Sequence, residues 1–157
     1  MWVVLLYLSA IVCSNIWFTT LPIIQTPYGV IPTMAFFVGL IFIIRDYVQQ
    51  RIGHHVLWVM VCGGIISGLL ADPNIAIASV LSFLISEFVD YLVFTYTRRP
   101  LYDRILLSSV ISVPVDSELF LYMIGFGSPI SILIMSLSKI FVAGGIWVYY
   151  KFKGNKQ

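Results

Sequence analysis

Seven ionisable side chains stand inside stretches of sequence otherwise suited to lipid: Arg45, Asp46, Glu87, Asp90, Asp116, Glu118 and Lys139. Charge in a low-dielectric interior costs several kcal/mol unless it is paired or neutralised. Such groups turn inward and mark a binding site or an ion path. Glu87 and Asp90, in SEFVDYLVFTYTRR, are three residues apart and share one helix face. Asp116 and Glu118 are two apart and face different ways. Small and polar residues extend these faces. Ala78, Ser82, Ser86 and Asp90 form one i, i+4 stripe, Ser108, Ser112 and Asp116 another, and Asn15 occupies a similar position in the first apolar run. Pro114 leaves the Val110 carbonyl without its helical donor. Only two deep cations, Arg45 and Lys139, face Glu87, Asp90, Asp116 and Glu118, so at least one carboxylate is left to bind a solute or carry a proton. The same stripes also suit plain packing seams, because small residues let membrane helices approach, and GIISG at 64–68 reads as such a seam.

The elements that must position these groups follow from hydropathy. About twenty apolar residues cross a bilayer as a helix. By that rule the chain is all-α, a single transmembrane domain over 1–157, with six spans at about 2–23, 32–50, 55–71, 75–96, 101–124 and 130–151. The first run is expected to be a span, not a cleaved leader. Asp72-Pro73 and Ser128-Pro129 offer an N-cap followed by proline in the first turn. Pro27, Gly29 and Pro32 mark the first connection, and Gly53 ends the second helix. Arg51, then Arg98, Arg99 and Arg104, then Lys151, Lys153 and Lys156 fall at alternate ends of the spans, which places both termini in the cytoplasm of a cell with the protein in its inner membrane.

A rise of about 1.5 Å per residue converts position into depth. Glu87, Asp116 and Lys139 fall near the midplane, and Arg45 and Asp90 in a layer closer to the cytoplasm. Lys139 is expected to pair with Asp116 or Glu87, and Arg45 with Asp90. The acidic groups should converge on a hollow halfway across the lipid.

Composition excludes most other classes. The 157 residues are 60% hydrophobic and only 10% charged, more apolar surface than so small a chain could hide from water. A net charge of +2, with cations in short clusters, argues for topology signals and against nucleic-acid binding. Cys13 and Cys62 lack metal spacing and read as small packing residues. His54 and His55, adjacent in a turn, point apart and make a poor metal site. With no phosphate loop, zinc spacing or Ser–His arrangement, neither an enzyme nor a cofactor or metal is expected.

GLIFIIRDYVQQRIG (39–53), SFLISEFVDYLVFTYTRR (82–99) and PVDSELFLY (114–122) together resemble the queuosine precursor transporter family, also described as vitamin uptake transporters, in its short form. The resemblance spans roughly residues 10 to 150. It implies six helices, a fold similar to the substrate-binding subunits of energy-coupling-factor transporters, and uptake of 7-deazaguanine bases such as preQ0 or preQ1. It also implies functional positions at Arg45, Asp46, Glu87, Asp90, Asp116 and Ser117.

The residues suit such a ligand. A carboxylate accepts both N–H groups of a deazaguanine edge. Asn15 or a serine serves its carbonyl, and Trp17, Phe83, Phe120 or Tyr122 forms a slot for the ring. The expected substrate-binding set is therefore Glu87, Asp90, Asp116, Ser117, Asn15, Arg45, Asp46, Lys139, Ser86 and Ser112, and the expected partners are a purine-like small molecule and the lipid bilayer, with a homo-oligomer compatible. The alternatives are a substrate-capture subunit for another vitamin-like solute, with Ala10-x-x-x-Ser14 as a docking seam, and a small channel or permeabilising protein.

Overall fold

The computed structural model describes residues 2–20, 23–26, 29–32, 35–71, 73 and 76–154. Six α-helices run α1 Trp2–Thr20, α2 Ala35–Ile52, α3 Val56–Leu70, α4 Ala76–Tyr96, α5 Leu101–Met123 and α6 Pro129–Gly154. Between α1 and α2 lies a hairpin of β1 Ile23–Thr26 and β2 Gly29–Pro32, antiparallel with Ile23 opposite Pro32 and Thr26 opposite Gly29. The expected first span to residue 23 and second from 32 both end short of this hairpin. Its β-branched Ile23, Ile24, Thr26, Val30 and Ile31 favour paired strands, and β2 rests against α6.

Among the described residues, four helical segments are long and apolar enough to cross a membrane: Ala35–Leu70, Ala76–Tyr96, Leu101–Met123 and Pro129–Lys153. Trp2–Trp17 is a shorter apolar helix. Length and composition thus give four candidate spans where the apolar runs suggested six. The difference has two causes, of which the short apolar stretch of α1 is one and the junction of α2 with α3 the other. Only a 3-10 turn at Gly53–His55 separates α2 from α3, so the two count as one segment. Gly53 has φ +59, a left-handed conformation that suits glycine and breaks α2 there.

The distribution of side chains is inside out relative to a water-soluble protein. Leu69 is 79% exposed, Phe141 74% and Trp58 73%, whereas Arg45, Glu87 and Asp90 are 0% exposed. Lipid, not water, accepts such a surface. Cys13 and Cys62 are unpaired thiols on this outer face and not the packing residues expected. One apolar core joins α1, α2, α3 and α4 through Tyr7, Ile11, Ile41, Val48, Met60 and Tyr91. A second, around Phe120, Leu121 and Met135, closes the other end.

Several local devices hold the helices in place. The 64–68 stretch does form a seam, with Gly64 against Leu84 and Gly68 against Val80 of α4. Ser128 caps α6 by accepting the Ser131 N–H at 3.1 Å. Arg104 donates from Nε (3.0 Å) and Nη2 (2.7 Å) to the Phe94 carbonyl and lies 3.9 Å over the Phe94 ring, which ties α5 to α4. Trp147 Nε1 donates to Asp103 Oδ1 at 2.7 Å and ties α6 to α5. The expectations placed on Pro27, Asp72 and Lys156 lie outside the described residues.

Candidate functional site

Among the described residues, two ionic clusters occupy the interior. The first is built on Arg45, midway along α2 and fully buried. Its Nε lies 3.1 Å from Glu87 Oε2, its Nη1 3.3 Å from Asp46 Oδ1, and its Nη2 pairs with Asp90 Oδ2. Nη1 also donates to Gln49 Oε1 at 2.5 Å, one turn further along α2. Tyr7 from α1 donates to Glu87 Oε2 at 3.2 Å, and Ser108 from α5 donates to Asp46 Oδ2 at 3.2 Å. Gln49 Nε2 in turn donates to Thr95 Oγ1 on α4 at 2.8 Å. One guanidinium thus gathers four helices, and its fixed fork of donors is the geometry that carboxylates match.

The expected Arg45–Asp90 pair is present, but Glu87 belongs to this cluster and not to a midplane layer with Lys139. Depth measured along a helix axis ignores side-chain reach. A helical side chain leans towards its own N-terminus, which on α2 carries the long Arg45 side chain away from the Arg51 end and up to Glu87.

The second cluster is Lys139 and Asp116. Lys139 Nζ donates to Asp116 Oδ2 at 2.5 Å and to Ser117 Oγ at 3.3 Å. Ser86 donates to Asp116 Oδ1 at 3.2 Å. Of the two partners expected for Lys139, Asp116 is the one it meets. The backbone of α6 comes close to α2 here, because Gly39 has no side chain to hold it off: a Cβ at that position would stand 2.7 Å from the Lys139 carbonyl oxygen.

A cavity opens beside this second cluster, where all six helices contribute. Its volume is about 90 Å³, room for several water molecules. Asp116 and Lys139 form one part of its wall. Ser14 and Asn15 of α1, Ser67 of α3, and Ser79 and Ser82 of α4 form another, linked by Ser67 Oγ donating to Asn15 Oδ1 at 3.3 Å and lying 3.1 Å from Ser79 Oγ. The rest is apolar: Ile41 and Phe42, Phe83, Phe120 and Met135.

The predicted site residues divide accordingly. Asn15, Asp116 and Lys139 line the cavity. Ser86 and Ser117 stand behind it, each bonded to one member of the ion pair. Ser112 is buried with its hydroxyl unpartnered. Arg45, Asp46, Glu87 and Asp90 are bound to one another and are not part of the cavity wall, so the expected hollow between Glu87 and Asp116 is bordered by Asp116 alone. Phe83 and Phe120 line it as expected. Trp17 packs edge-on to Phe37 instead, with ring centroids 5.0 Å apart, and Tyr122 is exposed. Glu118 is exposed and takes no part in the charge balance of the interior. Ala10 and Ser14 are both buried, so the docking seam read there is turned inward.

Tyr7, Gln49, Gly39, Ser67 and Ser79 were missed. Two of them carried a signal. Tyr7, Ile11 and Asn15 repeat at i, i+4 on one face of α1, and Gln49 is one turn from Arg45.

No curated protein and no solved structure matches this chain. Residues 68–152, which carry Glu87, Asp90, Asp116 and Lys139, match the family described as "Putative vitamin uptake transporter". That stretch is more than half of the 157 residues, and the chain belongs to the putative vitamin uptake transporter family.

Proposed function

We propose that the chain is an uptake carrier for a 7-deazaguanine base of the queuosine-precursor type (preQ0 or preQ1), held edge-on at Asp116 and Lys139. The observation that carries this reading is the cavity itself: one paired acid and base set into a wall of phenylalanine, aliphatic and hydroxyl side chains. The pairing edge of a deazaguanine presents a carbonyl acceptor beside a ring N–H and an exocyclic amine. Lys139 Nζ offers a donor and Asp116 two acceptor oxygens, side by side at 2.5 Å, which is the complementary order. Asn15 and the serines opposite supply further donors and acceptors. Phe83 and Phe120 suit the flat faces of the ring. The inward Ala10–Ser14 face disfavours the capture-subunit alternative, and a binding hollow with matched charges suits transport better than conduction or catalysis.

In this reading the helices make six crossings. Val38 of α2 and Ala71, just past the end of α3, line the same small cavity although they are 33 positions apart, so the chain reverses at Gly53 instead of running straight. Both termini then lie on the cytoplasmic side of the inner membrane, with Arg51, Arg98, Arg99, Lys151 and Lys153.

The test is direct binding. Calorimetric titration of preQ0 and preQ1 into the purified chain should show saturable binding that Asp116→Asn lowers at least tenfold, since an amide loses one of the two acceptors. Equal affinity in the wild type and the variant would remove Asp116 from the site. No binding of either base by folded wild-type protein would refute the substrate class.

A further inference from the structure

The Arg45 cluster does not face the cavity, and its charges do not balance. Asp46, Glu87 and Asp90 surround one guanidinium, and all four side chains are 0% exposed. With every carboxylate ionised, three negative charges stand against one positive. An unmatched buried charge costs several kcal/mol. The other charged and titratable groups around the cluster do not make up the difference. Lys139 of α6 is matched by Asp116 of α5. Arg104 of α5 is bound to the Phe94 carbonyl, and its charge, which reaches Asp46, still leaves one of the three negative charges unmatched. Tyr7 of α1 donates to Glu87 as a neutral hydroxyl. His54, in the turn after α2, lies 2.6 Å from the Tyr91 hydroxyl of α4. The one titratable side chain of α3, Cys62, is exposed.

Protons are the ions that fit the surplus. Among the described residues no three Asp, Glu, His or Cys side chains converge as a metal ion requires. Glu87 Oε1 and Asp90 Oδ1 are buried with no hydrogen-bond partner, so a proton can be added there without breaking an existing bond. A polar path leads from the cluster to the cavity along α5. Ser108 bonds Asp46, Ser112 follows one turn on, and Asp116 one turn further. The Ser112 hydroxyl is 0% exposed and has no partner, and a hydroxyl both accepts and donates a proton. On α4 the link is shorter still, since Ser86 donates to Asp116 Oδ1 and is adjacent in the chain to Glu87.

We propose that transport by this chain is proton-coupled, with Glu87 in the Arg45 cluster taking up a proton on the side where the solute enters and releasing it where the solute leaves. The proposal rests on the solute reading of the cavity. A base that places its N–H groups on Asp116 takes Oδ1 from Ser86 and leaves that hydroxyl with the Phe83 carbonyl alone, beside the cluster. Solute and proton occupancy are therefore linked, and linkage is reciprocal.

The full chain is reconstituted into vesicles of phosphatidylethanolamine and phosphatidylglycerol, with labelled preQ1 as the probe and a pH-sensitive dye inside. Exchange of labelled for unlabelled base at equal pH reads the solute reaction alone. With the outside made more acidic, the wild type should accumulate base severalfold above the level without a gradient. Addition of base should also acidify the lumen, and a protonophore should abolish both effects. In Glu87→Gln the ratio of gradient-driven accumulation to exchange should fall to the level seen without a gradient. Wild-type exchange with no gradient stimulation and no luminal acidification overturns the proton proposal and leaves the solute reading standing. A sodium gradient that replaces the proton gradient overturns it as well. Unchanged gradient-driven accumulation in Glu87→Gln overturns the role of Glu87. Wild-type protein that neither exchanges nor binds the base removes the solute reading, and the proton proposal with it. The luminal dye reading on the wild type does not depend on the variant folding.

Discussion

Replacing Gly39 by alanine tests whether the ion pair at the cavity depends on how closely α2 lies on α6. A Cβ at this position would meet the Lys139 carbonyl oxygen at 2.7 Å, its Cα at 3.0 Å and its carbonyl carbon at 3.3 Å. These are backbone atoms, so no change of rotamer relieves the contact. Ordinary contact begins at 3.4 Å, and the helices must part by about 0.7 Å to reach it. Overpacking of this kind costs about 1–3 kcal/mol. Alanine also gains about 1 kcal/mol over glycine in helix propensity, so the net destabilisation is about 0–2 kcal/mol. Gly144→Ala supplies the control, because it lies on α6 with nothing within 4 Å and gains the propensity without the clash. The difference between the two variants therefore isolates about 1–3 kcal/mol of steric cost. It should appear as a lower unfolding midpoint for Gly39→Ala in lipid nanodiscs. Binding carries a second signature. Lys139 Nζ sits 2.5 Å from Asp116 Oδ2, and shifting its backbone disturbs that pair, so affinity for the base should fall in Gly39→Ala and hold in Gly144→Ala. If the two variants unfold alike and bind alike, the close approach at Gly39 does not position Lys139 and the argument fails.

Two further outcomes follow from contacts that anchor the helices. Tyr7→Phe removes the hydroxyl that donates to Glu87 Oε2 while keeping the ring, and should cost about 1.5–3 kcal/mol of stability, measured by denaturant titration in mild detergent; a change within error would mean that the bond contributes nothing. Arg104→Lys keeps the charge but loses the paired donors to the Phe94 carbonyl and the stacking on its ring, so it should destabilise by about 1–3 kcal/mol and fare little better than Arg104→Gln in the same titration; full rescue by lysine would reduce the contact to simple charge.

The interior charges were legible in the sequence because lipid-compatible stretches make any ionisable residue conspicuous, and because spacings of three and four residues fix which of them share a face. That is why the Arg45–Asp90 pair could be anticipated from position alone, and the partner of Lys139 narrowed to Asp116 or Glu87. Side-chain reach could not be read from an axial rise, and this placed Glu87 in the wrong cluster. The cavity wall was harder still. Ser14, Ser67 and Ser79 look the same in sequence whether they pack, bond back to their own helix or face a hollow. Tyr7 stands in an apolar run, and only its spacing from Asn15 set it apart there. The hairpin at 23–32 was masked by its own hydrophobicity, since isoleucine and valine extend an apolar helix count as readily as they form strands. Gly39 shows the same limit: what it permits depends on a helix one hundred residues further along the chain.

The division between the Arg45 cluster and the cavity has a consequence for how such a carrier could change its preferences. The groups that tie the helices together sit apart from most of the surface that a passenger would touch, and most of the polar residues of that surface are serines. Exchanging a serine for alanine, threonine or asparagine reshapes the chamber or alters its donors while the guanidinium and its three acids stay as they are. Selectivity and assembly are therefore written in different residues, and one can drift while the other holds.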